Sequence, residues 1–286
     1  MPTRGRTNQP DVWGGQLLDL EAYLHRIGID DKAPEPTFET LRVLQRAHIT
    51  SIPFENGETI LGRPTPLDVG SLQDKMIRHR RGGYCFEHAN LYAAALEQIG
   101  FGVTGLLSRI TMGAEKLLPA THAAIKVDTE DDDRTWISDV GRGGGPLEPI
   151  ELADGATLQD NWRFTLGRGE HAGSEYWTLY ASRPEGWLDL HRFTLTPSYP
   201  IDYVVGNHYI ATHPDSPFST RILAQKLDDD TWHFLDGTTL TSTYRGGPQQ
   251  THDLDPTELP KLLEDTFDIA LDPDDASTLI AKTTKS

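Results

Sequence analysis

The chain has 286 residues, 37% of them hydrophobic, six tryptophans and a net charge of −17. That is enough apolar material for a packed core. The acidic balance, with no basic patch or basic-aromatic motif, excludes a nucleic-acid binder. No apolar run reaches membrane-spanning length, so no membrane partner is expected. The segment Met1–Pro10 lacks an apolar stretch of the secretory kind and reads as a loose arm. A single cysteine, Cys85, excludes an internal disulfide and fits a reducing cytoplasm. In such an acidic field, an anionic substrate would need a local positive pocket.

Leu17, Leu20, Leu24 and Ile27 mark a first amphipathic helix ended by Gly28, and Phe38, Leu41, Leu44 and His48 mark a second after Pro36 and Thr37. The stretch Ile52-Pro53-Phe54-Glu55-Asn56 reads as a turn. Ser71 to His79 is predicted as a third helix with Ser71 as its cap. Cys85 to Ile99 follows, stopped by Gly100. The first 100 residues are therefore mainly helical. Short strands are predicted at 101–111, 120–127, 135–140, 176–182, 187–195 and 203–209, as a β-barrel or strongly bent sheet. Further strands are predicted at 221–227, 231–235 and 239–244. Asp255 caps a helix running from Pro256 to about Phe267, and the polar tail from Asp272 is expected to fray.

Cys85 carries the chemical interest. Gly82 and Gly83 permit a tight turn before it, and the helix spacing puts it in a first turn. Unpaired N–H groups and the positive end of the dipole there favour a thiolate. A nucleophilic cysteine needs a base and a group that orients the base. His122 lies on one predicted strand and Asp139 on the next, with a polar loop between. If Asp128 and Asp133 pair at the loop mouth, residue 139 stands opposite His122 on the same face, in hydrogen-bonding range. Cys85, His122 and Asp139 then form a candidate thiol triad. The run Gly141-Arg142-Gly143-Gly144-Gly145-Pro146 can bring backbone N–H groups and a cation to phosphate oxygens, or be only a loose turn. It lacks the Lys-Ser/Thr of a nucleotide-hydrolysing loop.

Arg81-Gly82-Gly83-Tyr84-Cys85-Phe86-Glu87 resembles the cysteine motif of the arylamine N-acetyltransferases. Ile52 to Asn56, His122 on its strand, Ser138-Asp139-Val140-Gly141, Asn207-His208-Tyr209 and His213-Pro214-Asp215-Ser216-Pro217-Phe218 match that family in order. The resemblance spans about Leu17 to Leu227. It implies an α+β protein with a cysteine-protease/transglutaminase-like core: a helical bundle over 1–100 bearing Cys85, a β-barrel over 101–210 bearing His122 and Asp139, and an α/β lid over 211–286. It implies ping-pong transfer of an acetyl group from acetyl-coenzyme A, through a Cys85 thioester, to an arylamine, arylhydrazine or N-hydroxyarylamine. No permanently bound cofactor is implied. Gly141, Arg142, Gly143, Ser216, Phe218 and Thr220 are then the coenzyme A contacts, and Tyr84, Phe86, Thr121 and Arg142 the acceptor pocket. A homodimer is left open.

One position departs from the pattern. The family often has Gly-Phe-Gly after the aspartate, and Arg142 stands here in place of the aromatic. A flat apolar acceptor loses a stacking partner, while a coenzyme A phosphate or an acidic acceptor gains a cation. No metal is expected, since His88, three residues after Cys85, lacks the further ligands of a zinc site. The alternatives are an amide synthase releasing a polyketide by intramolecular aryl-amide formation, a thiol hydrolase or transglutaminase-like enzyme with the same triad, and a non-catalytic binding module.

Overall fold

The computed structural model describes residues 11–30, 34–114, 116–158, 162–246 and 248–284; the N-terminal arm over residues 1–10 lies outside them. A 3-10 turn, Gly15–Leu17, precedes α1 (Leu20–Arg26), α2 (Phe38–Ser51), β1 (Phe54–Glu55), α3 (Gly57–Leu61) and α4 (Val69–Leu72). A π-helical turn, Gln73–Arg78, leads to α5 (Cys85–Ile99). An eight-stranded sheet follows: β2 (Gly102–Ile110), β3 (Ala120–Asp128), β4 (Thr135–Ser138), β5 (Ile150–Glu151), β6 (Thr157–Leu158), β7 (Phe164–His171), β8 (Ser174–Arg183) and β9 (Gly186–Phe193). Next come α6 (Pro200–Thr212) and α7 (Pro217–Thr220). The chain ends with β10 (Leu223–Leu227), β11 (Thr231–Asp236), β12 (Thr239–Tyr244), β13 (Gln249–Asp253), α8 (Leu259–Phe267) and α9 (Pro273–Thr283).

The eight strands run in the order β5-β4-β3-β2-β9-β8-β7-β6, and the end strands β5 and β6 touch, so the sheet is a nearly closed barrel. The second sheet runs β1-β10-β11-β12-β13. Its first strand comes from the helical part of the chain, so β1 ties the cysteine region to the C-terminal sheet. The mixed helix-and-sheet class is the one expected from the sequence. Among the described residues, no helix is long and apolar enough to cross a membrane.

α5 is the axis of the helical part. Thirteen of its fifteen residues are buried, and Ala89, Ala93, Ala94 and Ala95 let neighbouring elements approach it closely. Gly100 ends it at φ 112°, a left-handed conformation that disfavours other residues. α2 begins and is capped at Thr37 as its sequence indicates.

Several expectations are corrected. Leu17 is not on the first helix face; it is 66% exposed, and Asp19 caps α1 only at residue 20. Asp68, not Ser71, caps α4, because its carboxylate accepts both the backbone N–H and the hydroxyl of Ser71. Residues 203–209 form part of α6 rather than a strand. Their aromatic and β-branched content favours a strand, but Pro200 in the first turn and the Asp202 carboxylate on the Tyr199 N–H start a helix instead. The tail from Asp272 is not frayed through its length: Asp272 caps α9. β1, β5, β6, β7 and β13 have no counterpart among the strands expected from the sequence.

Candidate active site

The turn before Cys85 is built by Ile52 to Asn56. The Glu55 carboxylate accepts the Gly82 N–H at 3.0 Å and pairs with Arg81 at 2.7 Å, both ends enclosed. Burial works against the Glu55 charge, yet Arg81 and Lys75 hold its carboxyl well below the usual range. The Pro53 carbonyl accepts the Gly83 N–H and faces His88 Nε2 at 3.2 Å. A Cβ on Gly82 would stand 2.0 Å from that carbonyl oxygen, so only glycine fits. Asn56 fastens the same stretch to the far side of the molecule: its amide donates to the Phe218 and Arg221 carbonyls and accepts from the Leu223 N–H. At the helix start, Glu87 accepts the Tyr84 N–H at 3.0 Å and holds Lys75 at 2.6 Å. Cys85 is thereby fixed in the first turn of α5 and buried, with Sγ 3.6 Å from the Thr121 carbonyl.

His122, on β3, places Nε2 2.8 Å from Asp139 Oδ2. With Nε2 committed to the carboxylate, Nδ1 is the nitrogen left for the Cys85 thiol, which is near enough to favour the charged ring. Burial disfavours the charged ring, but the charge and hydrogen bond of Asp139, helped by Cys85, outweigh it and hold His122 up at about 10. Asp139 is held far below the carboxylate range: burial raises it, and His122 and His191 more than offset that.

The pairing that joins them differs from the one expected. Asp128 pairs with Thr135, not Asp133, and Ile125 with Ser138. The loop is two residues longer because the Thr135 hydroxyl donates to Asp128, while Arg134 turns back to Asp132. The register therefore moves by two, and Asp139 lies just past the end of β4. An even shift keeps the face unchanged, so the two side chains still meet, diagonally rather than directly.

Sequence reasoning missed His191. It is fully enclosed on β9, with Nε2 3.0 Å from Asp139 Oδ2, off the ring N–H axis, and Nδ1 2.7 Å from the Ser108 hydroxyl. Burial pushes His191 down to about 4, against the pull of Asp139. The Ser108 hydroxyl also donates to the Arg192 carbonyl at 3.1 Å, which anchors His191 to its own strand. Its neighbours on the sheet are Ile110 and Leu179, far apart in sequence, so no local pattern marks it. His122, Asp139 and His191 also offer ligand atoms within 4.8 Å of one another, a set that could hold a metal ion.

The glycine run after Asp139 is packed against protein. A Cβ on Gly141 would lie 2.7 Å from Cys85 Cα, one on Gly143 would meet Gln225, and one on Gly144 would enter the Trp232 indole. The Gly141 N–H donates to Asp139 Oδ1 at 3.2 Å. Arg142 is half-buried; its Nη2 reaches Met112 Sδ at 2.8 Å, while Nε is enclosed without a partner. Tyr84 and Phe86 are fully buried beside Cys85. The Tyr84 hydroxyl bonds Thr65 and Asn207, and Phe86 packs on Tyr203. Ser216 caps α7, its hydroxyl donating to the Ile210 carbonyl. Phe218 packs edge-on against Tyr84, and Thr220 lines a cleft of about 490 Å³ with Thr59, Ser219 and Arg221.

A family model described as N-acetyltransferase matches residues 37–276. The chain is 38% identical over 238 residues to an arylamine N-acetyltransferase of Mycolicibacterium smegmatis, covering 80% of this chain and 84% of that protein. Its fold is similar to the crystal structure of Nocardia farcinica arylamine N-acetyltransferase, with a TM-score of 0.91, 48% identity and coverage of 96% and 97% of the two chains. It is also similar to Mycobacterium marinum arylamine N-acetyltransferase in complex with CoA, with a TM-score of 0.85, 30% identity and coverage of 93% and 99%.

Proposed function

The chain belongs to the arylamine N-acetyltransferase family, and from that membership we propose that it moves an acetyl group from acetyl-coenzyme A to an arylamine through a thioester on Cys85. The observation that carries the reading is the buried His122–Asp139 pair at 2.8 Å beside the only cysteine.

The imidazolium of His122 pairs with the Cys85 thiolate. The thiolate attacks the thioester carbonyl, and backbone N–H groups in the first turn of α5 stabilise the oxyanion. The C–S bond to coenzyme A breaks, and the departing sulfur takes the proton from His122. The amine then attacks the carbonyl carbon of the acetyl thioester on Cys85, His122 accepts the amine proton, the C–S bond breaks and the Cys85 thiolate leaves. Asp139 fixes the tautomer and stabilises the imidazolium throughout. We place coenzyme A along Ser216, Phe218 and Thr220. Phe218 against Tyr84 and Thr220 in its cleft support a path from the thiol toward a site for the nucleotide end. The lone cysteine supports a cytoplasmic setting.

Steady-state kinetics with acetyl-coenzyme A and an arylamine test the order of events. Parallel double-reciprocal lines, with exchange of labelled coenzyme A in the absence of amine, are expected. Intersecting lines without exchange would point to direct transfer in a ternary complex and against a Cys85 thioester.

A further inference from the structure

His88 stands three residues after Cys85 on α5 and takes no part in the mechanism above. Its ring is one link in a run of buried polar groups that crosses three helices. Tyr23 OH of α1 lies 2.9 Å from His48 Nδ1 of α2, and His48 Nε2 lies 2.8 Å from His88 Nδ1. His88 Nε2 lies 3.2 Å from the Pro53 carbonyl. The three side chains are at most 1% exposed, so solvent does not replace a lost link.

The order of protons follows from one end of the run. A carbonyl only accepts, so His88 Nε2 carries a hydrogen. In a neutral ring Nδ1 is then an acceptor and takes the hydrogen of His48 Nε2. His48 Nδ1 is an acceptor in turn and takes the Tyr23 hydroxyl hydrogen. Burial keeps both rings neutral, and the cations facing them act the same way, Arg26 from α1 at His48 and Lys75 at His88. Glu55 and the backbone of Pro53 and Gly83 pull His88 the other way without overcoming burial.

The carbonyl at the end of the run also sets the cysteine turn. It accepts the Gly83 N–H at 3.3 Å, while the Glu55 N–H donates to the Gly83 carbonyl at 2.8 Å, closing a parallel bridge between Phe54 and Gly83. The same carbonyl oxygen leaves no room for a Cβ on Gly82. Where this oxygen sits therefore decides where the backbone of residues 82–84 sits, and Cys85 comes next in the chain.

We propose that Tyr23, His48 and His88 are positioning residues for the nucleophile, a one-directional hydrogen-bond chain from α1 that holds the Pro53 carbonyl, and through it the turn before Cys85, so that the sulfur is presented to His122. The acyl-transfer reading above supplies only what the sulfur then does; its placement is tested without that reading.

The test compares the full chain with Tyr23→Phe, His88→Leu and His88→Gln. The first removes one oxygen and leaves His48 Nδ1 without a donor. The second removes the last link, and the third keeps one acceptor and one donor on a neutral amide. Two rates are read, single-turnover acetylation of Cys85 by acetyl-coenzyme A and alkylation of Cys85 by iodoacetamide. Both are expected to fall roughly tenfold in Tyr23→Phe and His88→Leu, as a small displacement of a reacting group does. The acetyl-coenzyme A concentration giving half the maximal rate should stay as in the wild type, and His88→Gln should recover most of the loss. Nitrogen NMR at neutral pH should show both rings neutral with the hydrogen on Nε2, and Tyr23→Phe should shift the His48 Nδ1 signal. Wild-type rates in folded Tyr23→Phe and His88→Leu would overturn the proposal. So would a His88→Gln chain as slow as His88→Leu, or a hydrogen on Nδ1 of either ring. If His88→Leu does not fold, Tyr23→Phe decides alone. A wild type that is never acetylated, but whose alkylation slows in the variants, refutes the proposed reaction and upholds the chain.

Discussion

Asp139 Oδ2 is shared by two imidazoles: His122 Nε2 at 2.8 Å and His191 Nε2 at 3.0 Å. The first ring is held charged and the second neutral: both are buried, but Asp139 and Cys85 together outweigh burial at His122, while at His191 burial prevails. His191 therefore acts on the site through the aspartate. Replacing it with Leu removes a polar neighbour from a buried carboxylate and is expected to cost about 1–3 kcal/mol of stability. Urea unfolding checks this, and His191→Gln, which keeps a donor, should recover part of the loss.

Asp139→Asn is expected to lower acetyl transfer by roughly a thousandfold to ten-thousandfold, as loss of the orienting carboxylate does in related triads. It should also change the His122 titration. In the native chain the ring stays charged up to about pH 10 because of Asp139. Without that carboxylate, burial dominates and the ring should titrate below its ordinary value of 6.5. Nitrogen NMR of the imidazole reads the difference.

The His122–Asp139 pair also has a stability signature. A pKa raised on folding means that the folded state holds the proton longer. The contribution is full below pH 6.5, declines above it and is lost as pH rises through about 10. Asp139→Asn should flatten that alkaline decline in denaturation experiments between those limits.

Acid acts in the opposite direction on another buried set. Tyr23 OH, His48 and His88 form a chain of contacts at 2.9 and 2.8 Å that ends on the Pro53 carbonyl beneath the cysteine turn. Burial pushes His88 down to about 4 and His48 well below its ordinary value. Below pH 6.5 the unfolded chain binds protons that the folded chain excludes. Stability should fall by about 1.4 kcal/mol per pH unit for each such histidine. His48→Gln should reduce the slope of unfolding free energy against pH by about one histidine's share.

Gly141→Ala tests the contact between the loop after Asp139 and the nucleophile. The added methyl would stand 2.7 Å from Cys85 Cα and 2.8 Å from its carbonyl oxygen, both backbone atoms that cannot swing aside. A destabilisation of about 1–3 kcal/mol is expected, with a larger loss of activity as Cys85 and His122 are pushed apart. Thermal melting and the rate of Cys85 acetylation measure the two effects.

What could be read before the fold was known follows from the range of the interactions. The helix from Cys85 to Ile99 is set by neighbours in sequence: two glycines before it and Gly100 after it. The His122–Asp139 meeting depends on a single hairpin. Its parity is written in the strands, but its register was misplaced by two because the Thr135–Asp128 hydrogen bond lengthens the loop. His191 reaches the aspartate only after β9 pairs with β2, 83 residues away at Ser108, and no local pattern announces that. The helix at 200–212 was misread because Tyr203, Val204 and Val205 favour strands, while the proline and the cap at its start decide otherwise. The glycines after Asp139 looked like a phosphate cradle; Cys85, Gln225 and Trp232 occupy the space beside them.

The most direct measurement is the intact mass of the chain after incubation with acetyl-coenzyme A and no amine, with Cys85→Ser alongside. The expected result is a gain of one acetyl group, mapped to the peptide containing Cys85 and discharged when an arylamine is added, with the variant unchanged. A wild-type chain that stays unmodified while acetylated amine accumulates, or a Cys85→Ser chain that turns over at a near-native rate, would contradict a thioester on this sulfur.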